Sequence, residues 1–281
     1  MPSSFRSRTS LALLLLLGAG AAFAQQDPAY EGAKGMDERF RLDVGGFFQT
    51  FDTTVSFGSS SGGDGSIIDL ERELDLGNQT TFRADGWYRF GRHGSLQFGY
   101  RGWSRSATKT LEREIEFGNR TFEIGTEVDF RQRVHVVDLY YGYSFINTGK
   151  FETGLMLGVS GMYNRVSLEG TVTGPGGGSE ATRQQTNLTI PMPSAGVFVS
   201  ATILPRLFVE ASARGFPTVT VSNYTASDLD IRAGTTYFFT EHVGMGVTYQ
   251  YVKFKFSRNN APQVELDYRY NGPMAYVAVA F

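Results

Sequence analysis

The sequence predicts an all-β chain, a transmembrane antiparallel β-barrel of the up-and-down type with about ten strands. Three observations carry this. Ala275, Val277, Val279 and Phe281 occupy every second position to the end of the chain, describing a strand with one apolar face and no polar tail. At an open sheet edge such a strand would be sticky, whereas in a barrel that closes within lipid it is the closing strand. Segments with the same alternation recur along the chain, apolar in one phase and polar in the other, separated by turn residues. Past residue 24 no apolar run reaches the roughly 20 residues that a membrane-crossing helix needs.

The amino end carries Arg6 and Arg8, an apolar run from Leu11 to Leu17 and the small-x-small triplet Ala22-Phe23-Ala24. This reads as a secretory signal peptide over 1–24, cut before Gln25, because its apolar core is too short to span a bilayer. Residues 25–37 are polar, contain Gly32 and Gly35, and read as a periplasmic lead-in to a barrel over 38–281. The chain has no cysteine, which removes disulfides, thiolate metal sites, a lipidated cysteine anchor and Cys nucleophiles. The formal charge of −2 becomes more negative once Arg6 and Arg8 leave with the leader, which argues against nucleic acid as a partner.

Taken in order, the first strand turns Phe40, Leu42, Val44, Gly46 and Phe48 outward and Arg41, Asp43, Gly45 and Gln49 inward. A Gly- and Ser-rich loop follows, and 67–76 reads as a strand extension above the membrane. The second strand sets Phe82, Ala84, Tyr88 and Phe90 against Arg83, Asp85, Trp87 and Arg89. The third sets Leu96, Phe98 and Tyr100 against Gln97, Arg101, Trp103 and Arg105. Residues 111–117 and 121–128 form a hairpin standing above the membrane. In the fourth strand Val137, Leu139, Tyr141 and Tyr143 face out and Asp138, Tyr140 and Ser144 in. In the fifth Leu155, Leu157, Val159 and Tyr163 oppose Glu152, Met156, Ser160 and Asn164.

A long polar loop opens at Gly174-Pro175-Gly176-Gly177-Gly178. The sixth strand presents Ala195, Val197 and Val199. The seventh sets Leu207, Val209 and Ala211 against Glu210, Ser212 and Arg214. The eighth sets Leu229, Ile231 and Tyr237 against Asp228, Asp230 and Arg232, and the ninth presents Met245, Val247, Tyr249 and Tyr251. The upper half of the tenth alternates in the other phase, with Leu266, Tyr268 and Tyr270 apolar against Asp267 and Arg269, so Gly272-Pro273 reads as a β-bulge. Short turns alternate with longer polar connections, the asymmetry of a barrel with periplasmic turns and extracellular loops; eight and twelve are the alternative strand counts. A soluble barrel would place its apolar face inward and has no need of Tyr88, Tyr141, Tyr249 and Phe281 on an outer band.

The inward set contains Arg41, Arg83, Arg89, Arg101, Arg214 and Arg232 against Asp43, Asp85, Asp138, Glu152, Glu210, Asp228 and Asp230. The signs nearly balance, so in a narrow barrel they should pair into a cross-lumen network, with Trp87, Trp103, Phe198 and Phe208 filling more of the space. A dedicated ion pore would show a surplus of one sign. Above the apolar band the outward phase continues into Arg131, Arg133, Arg165, Lys253 and Lys255, placed to meet lipopolysaccharide phosphates or simply to be solvated.

Catalytic and metal sets are absent from the pattern. His93 and His242 fall in turns; His135 lies outward at the height of Ser104 and Ser106, an arrangement a lipid A deacylase would need, but no third group converges on them. No metal-ligand cluster or phosphate loop is present, and no cofactor is expected.

The terminal Phe281 with its alternating neighbours resembles the C-terminal signature of bacterial outer-membrane β-barrels. The resemblance implies that the barrel assembly machinery reads Phe281 and that the chain lies in the outer membrane of a Gram-negative bacterium. In general plan it is similar to the small OmpA/OmpX/OmpW-type barrels, without a signal for one family. The expectation is a non-enzymatic barrel with a charge-plugged lumen and a structural or surface-interaction role. The alternatives are a narrow porin-like channel for small hydrophilic solutes and an outer-leaflet lipid A hydrolase.

Overall fold

A computed structural model describes residues 38–59, 62, 65–173 and 179–281. The signal peptide and lead-in expected over 1–37 and the Gly174–Gly178 run lie outside the described residues.

The strands are β1 (Phe40–Phe57), β2 (Ile68–Asp69), β3 (Gln79–Arg89), β4 (Gly94–Thr110), β5 (Ile115–Phe117), β6 (Arg120–Phe122) and β7 (Glu127–Asn147). They continue as β8 (Phe151–Thr173), β9 (Ser179–Leu204), β10 (Leu207–Val221), β11 (Tyr224–Phe238), β12 (Val243–Arg258) and β13 (Val264–Ala280). One sheet runs β13-β12-β11-β10-β9-β8-β7-β4-β3-β1-β2 and closes through β13–β1. Setting aside the two-residue β2, which only adds to the top of β1, ten antiparallel strands form the ring. At the seam Arg41 sits opposite Ala280, and Phe40 and Phe281 exchange backbone hydrogen bonds of 2.9 and 2.8 Å. The ladder thereby runs round the ring without an open edge in the membrane band, which is the condition for crossing lipid with strands.

The wall faces outward as its alternation predicts. Phe82, Tyr88, Phe90, Leu139, Tyr141, Tyr143, Leu157, Tyr237, Met245, Tyr249 and Phe281 are exposed, giving an apolar band with aromatic girdles. A membrane strand needs about 9–11 residues, yet β7, β8 and β9 have 21, 23 and 26. The wall therefore stands well above the band on that side. The polar stretch entering 179–194 is paired to β8 as far as Thr173↔Ser179, so the long loop expected there is mostly a tall hairpin.

Two breaks divide this upper wall. The β9–β10 ladder ends at Gly215↔Ala195, and the β3–β4 ladder ends at Phe82↔Gly102. Above the first break β9 is an edge on its β10 side, and it carries Pro191 and Pro193 there. Proline has no donor to lose at an edge and discourages pairing by a foreign strand. Above the second break the gap is occupied by 65–78. Only Ile68–Asp69 of this segment is strand; Leu70, Leu74 and Leu76 fold inward and are buried. The β5–β6 hairpin likewise lies across the top, with Ile115, Phe117 and Phe122 buried and Gly118 N–H bonded to Phe57 O at 2.8 Å.

The expected phase change in the last strand does not occur. β13 keeps one register against β12 from Val243↔Val279 to Arg258↔Val264, through Tyr249↔Pro273 and Gln250↔Gly272. Against β1 the ladder skips Phe48 and Gln49, which lie across from Pro273 and Gly272, and resumes at Thr50↔Asn271 in the same register. Proline interrupts the hydrogen bonds without inserting a residue. Leu266, Tyr268 and Tyr270 are thus buried lumen residues, and Asp267 and Arg269 lie on the outside. The upper lumen is lined largely by buried apolar side chains, so apolar residues belong on its inner face.

Leu266→Asp should destabilise the barrel by several kcal/mol, since it puts an unpaired carboxylate into that core. The adjacent outward Glu265→Ala should stay within about 0.5 kcal/mol. Urea unfolding of the refolded barrel in detergent, read by heat-modifiable gel mobility, checks both.

Candidate functional site: the lumen network and the basic outer wall

Inward positions on β1, β3, β4, β7, β10, β11 and β12 converge on a belt of ion pairs across the lower lumen. Arg41 pairs with Asp43 at 2.8 Å and donates to Thr236 at 2.7 Å. Arg83 pairs with Asp85 at 2.5 Å and donates to Gln250. Asp138 is the hub: it takes Arg101 and Arg214, the latter at 3.1 Å, and accepts from Ser160. Arg214 also holds Asp230 at 2.7 Å, and Arg232 reaches Asp85 at 3.3 Å. Nearer the periplasmic turns Arg89 clamps Glu152 with two bonds of 3.0 and 2.5 Å.

Most of these guanidinium groups also lie over a ring, as Arg41 on Phe208, Arg83 on Phe47, Arg89 on Trp87 and Arg214 on Tyr140. Each cation is thus held by a carboxylate in its plane and an aromatic face beside it. Glu210 and Asp228 form no ion pair among the described residues. Glu210 lines two small cavities of about 60 and 30 Å³ with Trp87, Gln97 and Arg232, while Asp228 accepts from Ser194 at 3.4 Å.

Above the belt aromatic side chains pack across the lumen. Phe51, Trp103 and Tyr270 pack ring against ring at 5.4–5.9 Å, and Phe57 meets Phe117 at 4.9 Å. A second polar island lies within this core. Arg105, over the ring of Phe51, donates to Gln132 at 2.9 Å and Thr53 at 3.1 Å and pairs with Glu71 at 2.5 Å. Glu71 also accepts from Thr53 N–H at 2.7 Å, so the 65–78 segment is latched to both β1 and β4. Tyr268 Oη accepts from Gln132 at 2.5 Å and Asn164 at 2.8 Å.

The five basic residues expected at the rim separate into two settings. Arg131, Arg133 and Arg165 line one groove of about 360 Å³ with Arg183, Ser104 and Ser106. On the far wall Lys255 is paired with Asp267 at 2.5 Å, and Lys253 sits opposite Arg269. His135 is not joined to either serine. It bonds Tyr100 Oη at 2.8 Å and lies between the rings of Tyr100 and Tyr163, while Ser104 and Ser106 face Arg133 and Arg131. The other two histidines bond turn or strand-end carbonyls, His93 to Ser144 and His242 to Ala280.

Reading by charge alone missed Glu71, Gln132, Gln250, Tyr268, Tyr270 and Arg183. The signal for the two tyrosines was present: counting back from Ala280 in unbroken twos reaches both. Glu71 had no such signal, because it enters from an irregular segment.

No protein-family model matches the chain, and no curated protein matches it. Solved structures do. The outer membrane protease OmpT from Escherichia coli aligns over 88% of this chain and 98% of its own, with a TM-score of 0.56 at 10% identity. The translocator domain of the autotransporter NalP from Neisseria meningitidis covers 98% of this chain and 96% of its own at a TM-score of 0.43 and 12% identity. OprG from Pseudomonas aeruginosa covers 89% and 99% at 0.39 and 10%. The chain has the fold of a Gram-negative outer-membrane β-barrel.

Asp138→Ala should cost about 3–5 kcal/mol, the range for stripping the partner from a buried pair, because Arg101 and Arg214 both lose a carboxylate. Asp228→Ala should cost under about 1 kcal/mol; denaturant midpoints of the two variants decide. Glu71→Gln should release the 65–78 segment and speed its cleavage by added protease. Glu73→Gln, whose pair with Arg113 is half exposed, should change the rate far less.

Proposed function

We propose that this barrel is closed to solutes and acts from its outer surface, as a rigid membrane-anchored platform for contacts outside the cell. The observation that supports this is that side chains pack across the lumen at two levels. The Asp138-centred belt spans the cross-section below, and Phe51, Trp103, Tyr268, Tyr270 and the latched 65–78 segment pack across it above. A porin-like pathway needs a continuous polar lining with one-signed constrictions. Here most of the charges are paired off, and the upper section is packed mainly with apolar and aromatic side chains.

Two features favour the surface as the working part. The tall β7–β9 wall raises polar side chains well clear of the lipid band, and loop segments are folded down onto the barrel top, where a rigid scaffold presents them. The similarity to a protease does not bring a proteolytic reading with it. All three histidines sit on the outer face or in turns, so no imidazole stands beside the lumen carboxylates. The Ser104/His135 arrangement that a lipid A hydrolase would need is likewise disfavoured by the position of His135 between two tyrosines.

The refolded mature chain in a planar bilayer should show no unitary conductance. A variant lacking residues 70–76 together with Arg101→Ala should conduct if the two closures are the barrier. Discrete, reproducible steps from the unmodified protein would refute the closed-barrel reading and put the channel first.

A further inference from the structure

We propose that the outer face of β4, β7, β8 and β9 is a binding site for the phosphate groups of an outer-leaflet glycolipid. Strand register assembles it. Ser104, Arg133, Arg165 and Asn187 are successive cross-strand neighbours on the outward face. One row higher stand Ser106, Arg131, Ser167 and Gln185, and a row above that Arg183 faces Glu169. The row immediately below is Gly102, His135, Tyr163 and Thr189, followed by the apolar band with Val137, Leu139 and Val159. Positive charge therefore begins where the ring-rich border of the band ends, at the height of lipid headgroups.

Arg133 lies directly opposite Arg165. Like charges in that position repel across a sheet unless an anion lies between them. Arg165 is already aimed: it donates through Nη2 to Tyr163 Oη at 2.8 Å and through Nε to Asn187 Oδ1 at 3.0 Å, which fixes its fork and leaves further N–H donors for a ligand. Arg131, Arg133 and Arg183 form no ion pair among the described residues. The groove between these arginines and the two serines holds about 360 Å³. Guanidinium forks match phosphate oxygens in pairs, and serine hydroxyls add single donors.

The far wall serves as an internal control, since Lys255 there is neutralised by Asp267, and Arg269, which faces Lys253, lies 3.6 Å from Asp52 and 3.7 Å from Asp267. The occupant is a lipid rather than free phosphate because the site is continuous below with an apolar wall that acyl chains would cover. The chemistry is that of a phosphorylated, multiply acylated saccharide, the lipid A portion of lipopolysaccharide. Nothing in this site depends on whether the lumen conducts.

Bis-phosphorylated lipid A and its dephosphorylated form are titrated onto the refolded full barrel in detergent, with binding read by native mass spectrometry. The phosphorylated lipid should bind and the dephosphorylated form should bind far more weakly. Arg133→Ser with Arg165→Ser should weaken binding at least roughly tenfold, the equivalent of about 1.4 kcal/mol for lost charge-assisted bonds. Lys253→Ser should leave it unchanged. Arg133→Lys with Arg165→Lys retains charge and should fall between, and it supplies the reading if the serine variant does not refold. Equal binding of both lipids, or an unaffected serine variant, overturns the site. Displacement of the lipid by inorganic phosphate at matching concentration overturns its assignment to a lipid.

Discussion

Everything in this molecule depends on the closure of β13 onto β1. A strand in lipid cannot leave N–H and C=O groups unpaired, so the sheet has to return to its own first strand. Closure then fixes the rest of the geometry. Each strand acquires one face toward lipid and one toward a confined interior, and the two-residue period of the backbone assigns every side chain to one or the other. The exchange of bonds between Phe40 and Phe281 is the last rung of this ladder, and Phe281 stacks on His242 of the adjacent turn at 5.0 Å.

The confined interior explains the pairing that fills it. Lipid rejects charge, so charged residues in the spanning strands collect inside, where an isolated ion would be expensive and a balanced set is tolerable. Of the charges expected there, Arg41–Asp43 and Arg89–Glu152 are simple couples, while the rest of the paired groups share partners. Asp138 serves two arginines, Asp85 serves Arg83 and Arg232, and Gln250 and Tyr270 accept one further donor each from Arg83 and Arg101. A network with shared members resists loss of one pair less well than independent couples do, because one deletion strands several partners.

Above the membrane band the rules change. Water lies outside the wall there, so the outer face turns polar and basic while the inner face becomes an ordinary protein core of Val134, Val136, Leu168, Phe254 and Leu266. This inversion is why charge misled in the last strand. Asp267 and Arg269 look like lumen residues by analogy with Asp228 to Arg232, yet at their height charge belongs outside, where Asp267 meets Lys255. The same inversion puts Arg131, Arg133, Arg165 and Arg183 on the outer wall, immediately above rings that mark the border.

The sequence by itself determined the fold class, a strand count of about ten with eight and twelve as alternatives, and the facing of most residues in the membrane band. All of these follow from a local period of two and from the cost of charge in lipid, which act residue by residue. Tertiary structure decided what no local rule reaches. It chose which arginine meets which carboxylate, because cross-lumen partners are set by register and side-chain reach. It folded 65–78 and β5–β6 down onto the barrel top, because their apolar residues find cover only on a core that other strands supply. It also separated Arg165 from Lys255, alike in sequence, by giving the lysine a carboxylate neighbour and the arginine another arginine.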